Sequence, residues 1–500
     1  MLRVLGLVRS TKNTFASINR IPPEILSLIA HQCDADEDLI TLTHVCRGWR
    51  EIFTSHASLW TDLDCAVVDQ TRVYLERSKT SPLDIHLNEG DFLNDAFLLT
   101  VPHLYRLGSL SLSGSPNDLL RLIHHLGSRS PLLKTLSLIV ADDYVDLTLQ
   151  DSIFGGDLSS LHTLHLDGVI TNLAWENVSN LRTFRLCYIP DDEISVTQLL
   201  DFFERAPLLH EIRLECAFPD SSDAPLGRVV PLSNLKHLVI IALQPHTLHT
   251  VLLNHLLTPT GASISQAFGV IDTQSPIHLH LPKNLKNLNH LSNITSVNFR
   301  FDLGPCLLFG GPSGRHKMLC DRDSQVVRIP TSTGHQIFLS LDVLNISTVE
   351  KLAIAHWEFA TSSSVAVEKS SIYRIFHLMN NLRTLTLTAC LDLPFVLALN
   401  PKKNASGMVI CPKLEQLIVY IERKDRFCLD ELLEMEKERA FHGAKLETIT
   451  ITITSADPLL PVPEVLELKT CVSHVEYRLD NVMPEWDVVS RDIHRTYYEQ

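Results

Sequence analysis

An apolar-x-x-apolar-x-apolar signature recurs along this chain and leaves few folds open to it. Early copies start at Leu107, Leu133, Leu161, Leu181, Leu209 and Leu235, so successive starts lie 20 to 28 residues apart. Late copies start at Val349, Leu382, Leu414, Leu446 and Val472, at intervals of 26 to 33. Self-similarity at such intervals marks a repeat array. Within each copy the last apolar positions alternate, as in Leu136 and Leu138 or Leu164 and Leu166. That is the period of a short strand with one buried face. Between the strands, stretches such as 118–126 and 196–203 carry apolar residues at helical spacing. A single strand–helix unit cannot bury its apolar face; stacked neighbours bury it for one another.

The pattern, legible from Pro82 onward, resembles leucine-rich repeats of an irregular kind. The resemblance implies an α/β fold, a solenoid of parallel strands with intervening helices over residues 65–483, followed by a tail at 484–500. Two departures stand out. The asparagine or cysteine of that family, three residues after the last strand leucine, is replaced by Ala141, Val169 and Ile189 and kept at Cys390, which predicts uneven curvature. Starts at 235, 294 and 349 are about two periods apart; Pro276–Leu281 and Gln336–Leu341 are strand-like and read as degenerate repeats. Residues 309–323, rich in glycine and locally basic, predict a hairpin or loop projecting from the array. Gly310, Gly311 and Gly314 do not make a phosphate-binding loop, because Gly314 is followed by Arg315, His316 and Lys317.

The segment 18–64 is different. Ile21-Pro22-Pro23-Glu24 reads as a helix start: proline is tolerated where its missing N–H has no partner, and Glu24 suits the positive end of the helix dipole. Ile25, Leu28 and Ile29 follow at helical spacing. An acidic run from Asp34 to Asp38 leads into Leu39, Leu42, Val45 and Cys46; then come Trp49, Ile52, Phe53, Leu59 and Trp60. Some 45 residues of short helices make a marginal core, which predicts apolar surface turned to a partner. In order and spacing the segment resembles an F-box, and the whole chain resembles the expanded fungal F-box family. That resemblance implies an all-α module that binds a ubiquitin-ligase adaptor and, through it, a cullin scaffold. Carried onto this sequence, the adaptor contacts are Ile21, Pro22, Pro23, Glu24, Ile25 and Leu26; Val45, Cys46 and Trp49 fit later positions where packing competes with contact. The residues before 18 form a leader with Arg3, Arg9, Lys12 and no acid, expected to be flexible and compatible with a transit peptide.

Composition narrows the function classes. A net charge of −15 repels phosphate backbones and argues against nucleic acid as partner. The 11 cysteines are scattered with no C-x-x-C pair, which fits buried reduced thiols in the cytoplasm or nucleus. No apolar run approaches the ~20 residues that cross a bilayer, so no membrane partner is expected. The sequons at Asn177, Asn293, Asn345 and Asn404 read as chance matches. No hydrolase, zincin, dinucleotide or kinase signature occurs; no catalysis and no cofactor are expected, and histidines such as His124, His125, His278 and His280 lack metal-ligand spacing. The charged run 430–439 reads as a solvated helix face. The expectation is therefore a non-catalytic substrate receptor, with an interaction scaffold that leads to no ubiquitination as the alternative. Polar residues between the inward leucines, chiefly Arg182, Arg185 and Arg213, are the expected contacts for a target protein.

Overall fold

The computed structural model describes residues 16–32, 36–88, 95–141, 147–190, 193–217, 223–242, 248–268, 285–291, 294–300, 306–310, 314–320, 346–355, 369–388, 393–404, 407–421, 429–453 and 462–479. The chain divides into two compact units, Met1–Leu226 and Gly227–Gln500. Most of the leader, the tail, Pro276–Leu281, Gln336–Leu341 and Cys390 lie outside the described residues. Among the described residues, no helix is long and apolar enough to cross a membrane.

The first unit begins with helices α1 (Pro23–Ala30), α2 (Asp36–Val45) and α3 (Arg47–Ser55) and a 3-10 turn at Ala57–Trp60. It continues as a parallel sheet in the order β1 (Asp62–Asp64), β2 (Leu83–Leu87), β3 (Leu107–Gly114), β4 (Thr135–Val140), β6 (Thr163–Asp167), β8 (Thr183–Ile189) and β9 (Glu211–Ala217). A second ribbon pairs β5 (Leu147–Thr148) with β7 (Val169–Ile170). The sheet thus begins earlier than the repeat signature does, inside the N-terminal module. Helices α4 (Val68–Arg77), α5 (Asp95–Thr100), α6 (Pro116–Ile123) and α7 (Val196–Arg205) lie between strands. Their starts are written locally. Ser115 caps α6 ahead of Pro116, and Ser195 with Gln198 forms a reciprocal capping box on α7.

Register explains the signature. Leu110, Leu136, Leu164, Phe184 and Ile212 stand side by side on successive strands, and so do Leu112, Leu138, Leu166, Leu186 and Leu214. All ten are buried, and Phe202 of α7 packs 4.7 Å from Phe184 behind them. At two repeats, the residue just before the first leucine adds a second tie. Ser160 donates to the Pro131 carbonyl and Asn180 to the Ser159 carbonyl, each one repeat upstream.

The second unit repeats the scheme. β11 (His237–Ala242) pairs with β13 (Ser263–Phe268), and β10 (Val230–Pro231) with β12 (Leu256–Leu257). β14 (Ile294–Arg300), β17 (Lys351–Ala355), β18 (Thr384–Thr388), β19 (Gln416–Ile421), β20 (Thr448–Ile453) and β21 (His474–Leu479) run parallel. Helices α8 (Leu248–Asn254), α9 (Lys369–Leu378), α10 (Leu393–Leu399), α11 (Leu429–Phe441) and α12 (Val462–Cys471) alternate with them. Asn287 and Asn381 donate to the carbonyls of Asn254 and Ser347, the same tie as in the first unit. The expected projecting hairpin is instead part of the sheet. β15 (Cys306–Gly310) and β16 (Gly314–Cys320) run antiparallel to each other and bridge β14 to β13. Their strands satisfy neighbours on both sides, so they cannot stand clear of the array.

Candidate functional site

In the N-terminal module the Pro22 carbonyl accepts from the N–H groups of Ile25 and Leu26, so Pro22 closes the first turn of α1 and Pro23 sits at its first position. The inward side of α1 is Leu26, Ser27 and Ala30. Ile25, Leu28 and Ile29 are 46%, 60% and 49% exposed; at spacings of three and four they form one stripe on the outer side. Ile40 and Val45 of α2 are exposed as well. Of the six residues assigned to the adaptor, Pro22, Pro23, Glu24 and Ile25 face solvent and Ile21 is half-buried. Leu26 is a correction: at 2% exposure it belongs to the core. Leu28 and Ile29 take its place on the surface, and their i, i+3, i+4 relation to Ile25 was readable in the sequence.

The module's base is held by its tryptophans. Trp49 Nε1 donates to Asn19 Oδ1 at 2.7 Å, and its ring meets Phe53 edge-on. Trp60 is fully buried, donates to the Phe53 carbonyl at 2.9 Å, meets Tyr74 edge-on and carries the Arg77 guanidinium over its face at 4.2 Å. Large rings with satisfied N–H groups fix the helices against one another and against α4. Ile25, Leu28 and Ile29 thus lie outside the module's own packed core.

A second polar surface lies on the outer face of β6, β8 and β9. Arg185 and Arg213 are register partners. Arg185 is ion-paired with Glu211 at 2.9 Å, and Arg213 with Glu215 at 2.6 Å. Arg182 is exposed just before β8. The three arginines expected to contact a target therefore differ: two are braced by carboxylates, and Arg182 reaches solvent. Beside them His165, Asp167 and Cys187 bring their ligand atoms within 4.8 Å of one another. Burial, and then Arg185 and Arg213, push His165 down to about 4, so its ring is neutral. Burial also pushes the Cys187 thiol up. The sequence reading missed this group because Cys187 lies far along the chain from His165 and Asp167, and only the register of β6 on β8 brings it to them.

No curated protein matches the chain. A family model described as F-box-like does match, over residues 18–66. It covers the three helices, the exposed apolar stripe, the buried Trp60 and the first strand, and these residues are an F-box-like domain.

Proposed function

We propose that this chain is a non-catalytic substrate receptor of a cullin–RING ubiquitin ligase. The observation that carries the reading is the F-box-like segment with its outward stripe of Ile25, Leu28 and Ile29. Docking an adaptor there buries aliphatic surface that the module leaves in water. The strand–helix units on both sides of position 226 are read as irregular leucine-rich repeats that hold a target protein. Parallel register, buried alternating leucines and the recurring upstream tie support that reading. The receptor acts by raising the local concentration of target near the ubiquitin-charged enzyme, in the cytoplasm or the nucleus.

The test is copurification of adaptor and cullin with the full chain. Ile25→Asp combined with Leu28→Asp is expected to abolish it while the melting curve stays in place, since both side chains are already exposed. Arg182→Glu is expected to keep the adaptor and reduce target capture. Adaptor binding unchanged by the Ile25/Leu28 pair overturns the assignment. Adaptor binding with a target whose turnover does not depend on it would identify a scaffold instead.

A further inference from the structure

The outer face of the first unit's sheet holds a group of side chains that adaptor docking does not use. His165 and Asp167 stand two residues apart on β6, so they point to the same side. Cys187 on β8 is the register partner of Asp167. An imidazole, a carboxylate and a thiol thus converge from two adjacent strands, with their ligand atoms all within 4.8 Å of one another. Among the described residues this is the one such group of three.

We propose that His165, Asp167 and Cys187 form a binding site for a divalent transition metal ion, with zinc the best match. A tetrahedral zinc site takes nitrogen, sulfur and carboxylate oxygen at about 2.0–2.3 Å, which sets its ligands roughly 3.3–3.8 Å apart. The ligand atoms, all within 4.8 Å of one another, would draw together to that range around the ion, while the register holds the backbones of β6 and β8 side by side. A thiolate and an imidazole together favour zinc over magnesium or calcium, which prefer sites made of oxygen alone. On binding, the Cys187 thiol gives its proton to solvent and the sulfur's electron pair goes to the metal. No electron is transferred.

The surroundings fit a built site. Ser137 Oγ lies 3.3 Å from His165 Nδ1 and holds the ring from β4. The nearby guanidiniums of Arg185 and Arg213 are each engaged by a carboxylate, Glu211 and Glu215, which offsets their repulsion of a cation. The backbone is also shaped here. Tyr188 follows Cys187 with φ of 50°, and Cys216 in the neighbouring strand has φ of 46°. Left-handed conformations are costly for residues with a side chain, and they concentrate where a site is shaped. At Tyr188 this turn breaks the alternation: Tyr188 is exposed and Ile189 takes the inward place. Three protein ligands leave a fourth position for water.

The test is titration of the full chain, stripped with a chelator, with cobalt(II) as the optical probe and zinc as competitor. The expected result is one equivalent of cobalt bound with a thiolate-to-cobalt charge-transfer band, displaced by zinc. Cys187→Ser should remove that band. His165→Gln, at a half-buried position that tolerates a polar side chain, should keep the fold by circular dichroism and weaken cobalt binding tenfold or more. A wild-type protein with no charge-transfer band overturns the site. So does a band that persists in Cys187→Ser, or cobalt affinity unchanged in a folded His165→Gln.

Discussion

Leu164 and Leu385 occupy equivalent inward positions in the two units, both fully buried between apolar strand neighbours. Replacing either with alanine removes buried methyl groups and leaves a cavity, a loss of ~2–5 kcal/mol. In a stacked sheet the damage should spread mainly to adjacent strands; denaturant melts of each variant check the magnitude, and unchanged midpoints would refute the register. These positions were legible because burial with period two leaves a mark on composition itself. Residues that work by proximity left no such mark. Glu215 is buried beneath Arg213 and accepts from the Tyr188 hydroxyl at 3.3 Å, yet nothing in its neighbours in sequence distinguishes it from Glu211. Leu26 shows the opposite failure. Motif resemblance placed it on the surface, while packing on the inner side of α1 placed it in the core.

Helix α11 illustrates what a charged run can hide at the scale of an element. Its Asp430–Arg439 stretch reads as a solvated face, and part of it is: Lys402 and Lys403 from the turn after α10 pair with Glu431, Glu434 and Glu438. Glu436 and Arg439, however, are fully buried. Arg439 donates to the carbonyls of Ile410 and Cys411, at 2.8 and 3.0 Å, and so holds a turn in which Cys411 has a φ of 49°. Arg106 does the same in the first unit, donating to the carbonyls of Leu75 and Ser81. In both places a buried guanidinium ties turn carbonyls together, and truncation would remove those bonds from a buried site, so each should be sensitive to truncation. Glu436 accepts from the Leu446 N–H at 2.9 Å, but burial pushes its carboxyl from 4.5 up to about 7. A folded-state value above the unfolded one means stability that is full below pH 4.5 and lost as pH rises through about 7. Glu436→Gln keeps the acceptor and removes the ionisation. Relative to the parent it should gain stability between about pH 5 and about pH 8, up to about 3 kcal/mol at 1.36 kcal/mol per unit. Denaturant midpoints at both pH values decide it; a difference that does not change with pH is evidence against a titrating Glu436. Periodicity could show that α11 exists, but not which of its charges a neighbouring turn would bury. The antiparallel pair β15 and β16 was likewise readable as a hairpin and unreadable as an insertion, because its partners β13 and β14 are set by long-range pairing.

At the scale of the molecule, the clearest signals were the repeat interval and the N-terminal module, and the least visible was how they join. β1 at Asp62–Asp64 lies within the F-box-like segment and is also the first strand of the first unit's sheet, paired with β2 through Leu63 and Ile85. A chain starting at Cys65 would therefore lose more than an adaptor surface. It would open the edge of β2, whose Leu83, Ile85 and Leu87 are buried in the intact unit, and open edges invite pairing with other chains. The expected outcome is a protein that elutes as oligomers in gel filtration, whereas the full-length Ile25→Asp/Leu28→Asp chain elutes as the parent does; a well-behaved, unaggregated truncation would show that β1 is dispensable. Only Thr61 separates the fully buried Trp60 from that strand. Nothing between them can act as a leash, so a cargo seated on the first unit would be carried as on a lever arm, at an angle set by packing and not by the reach of a tether.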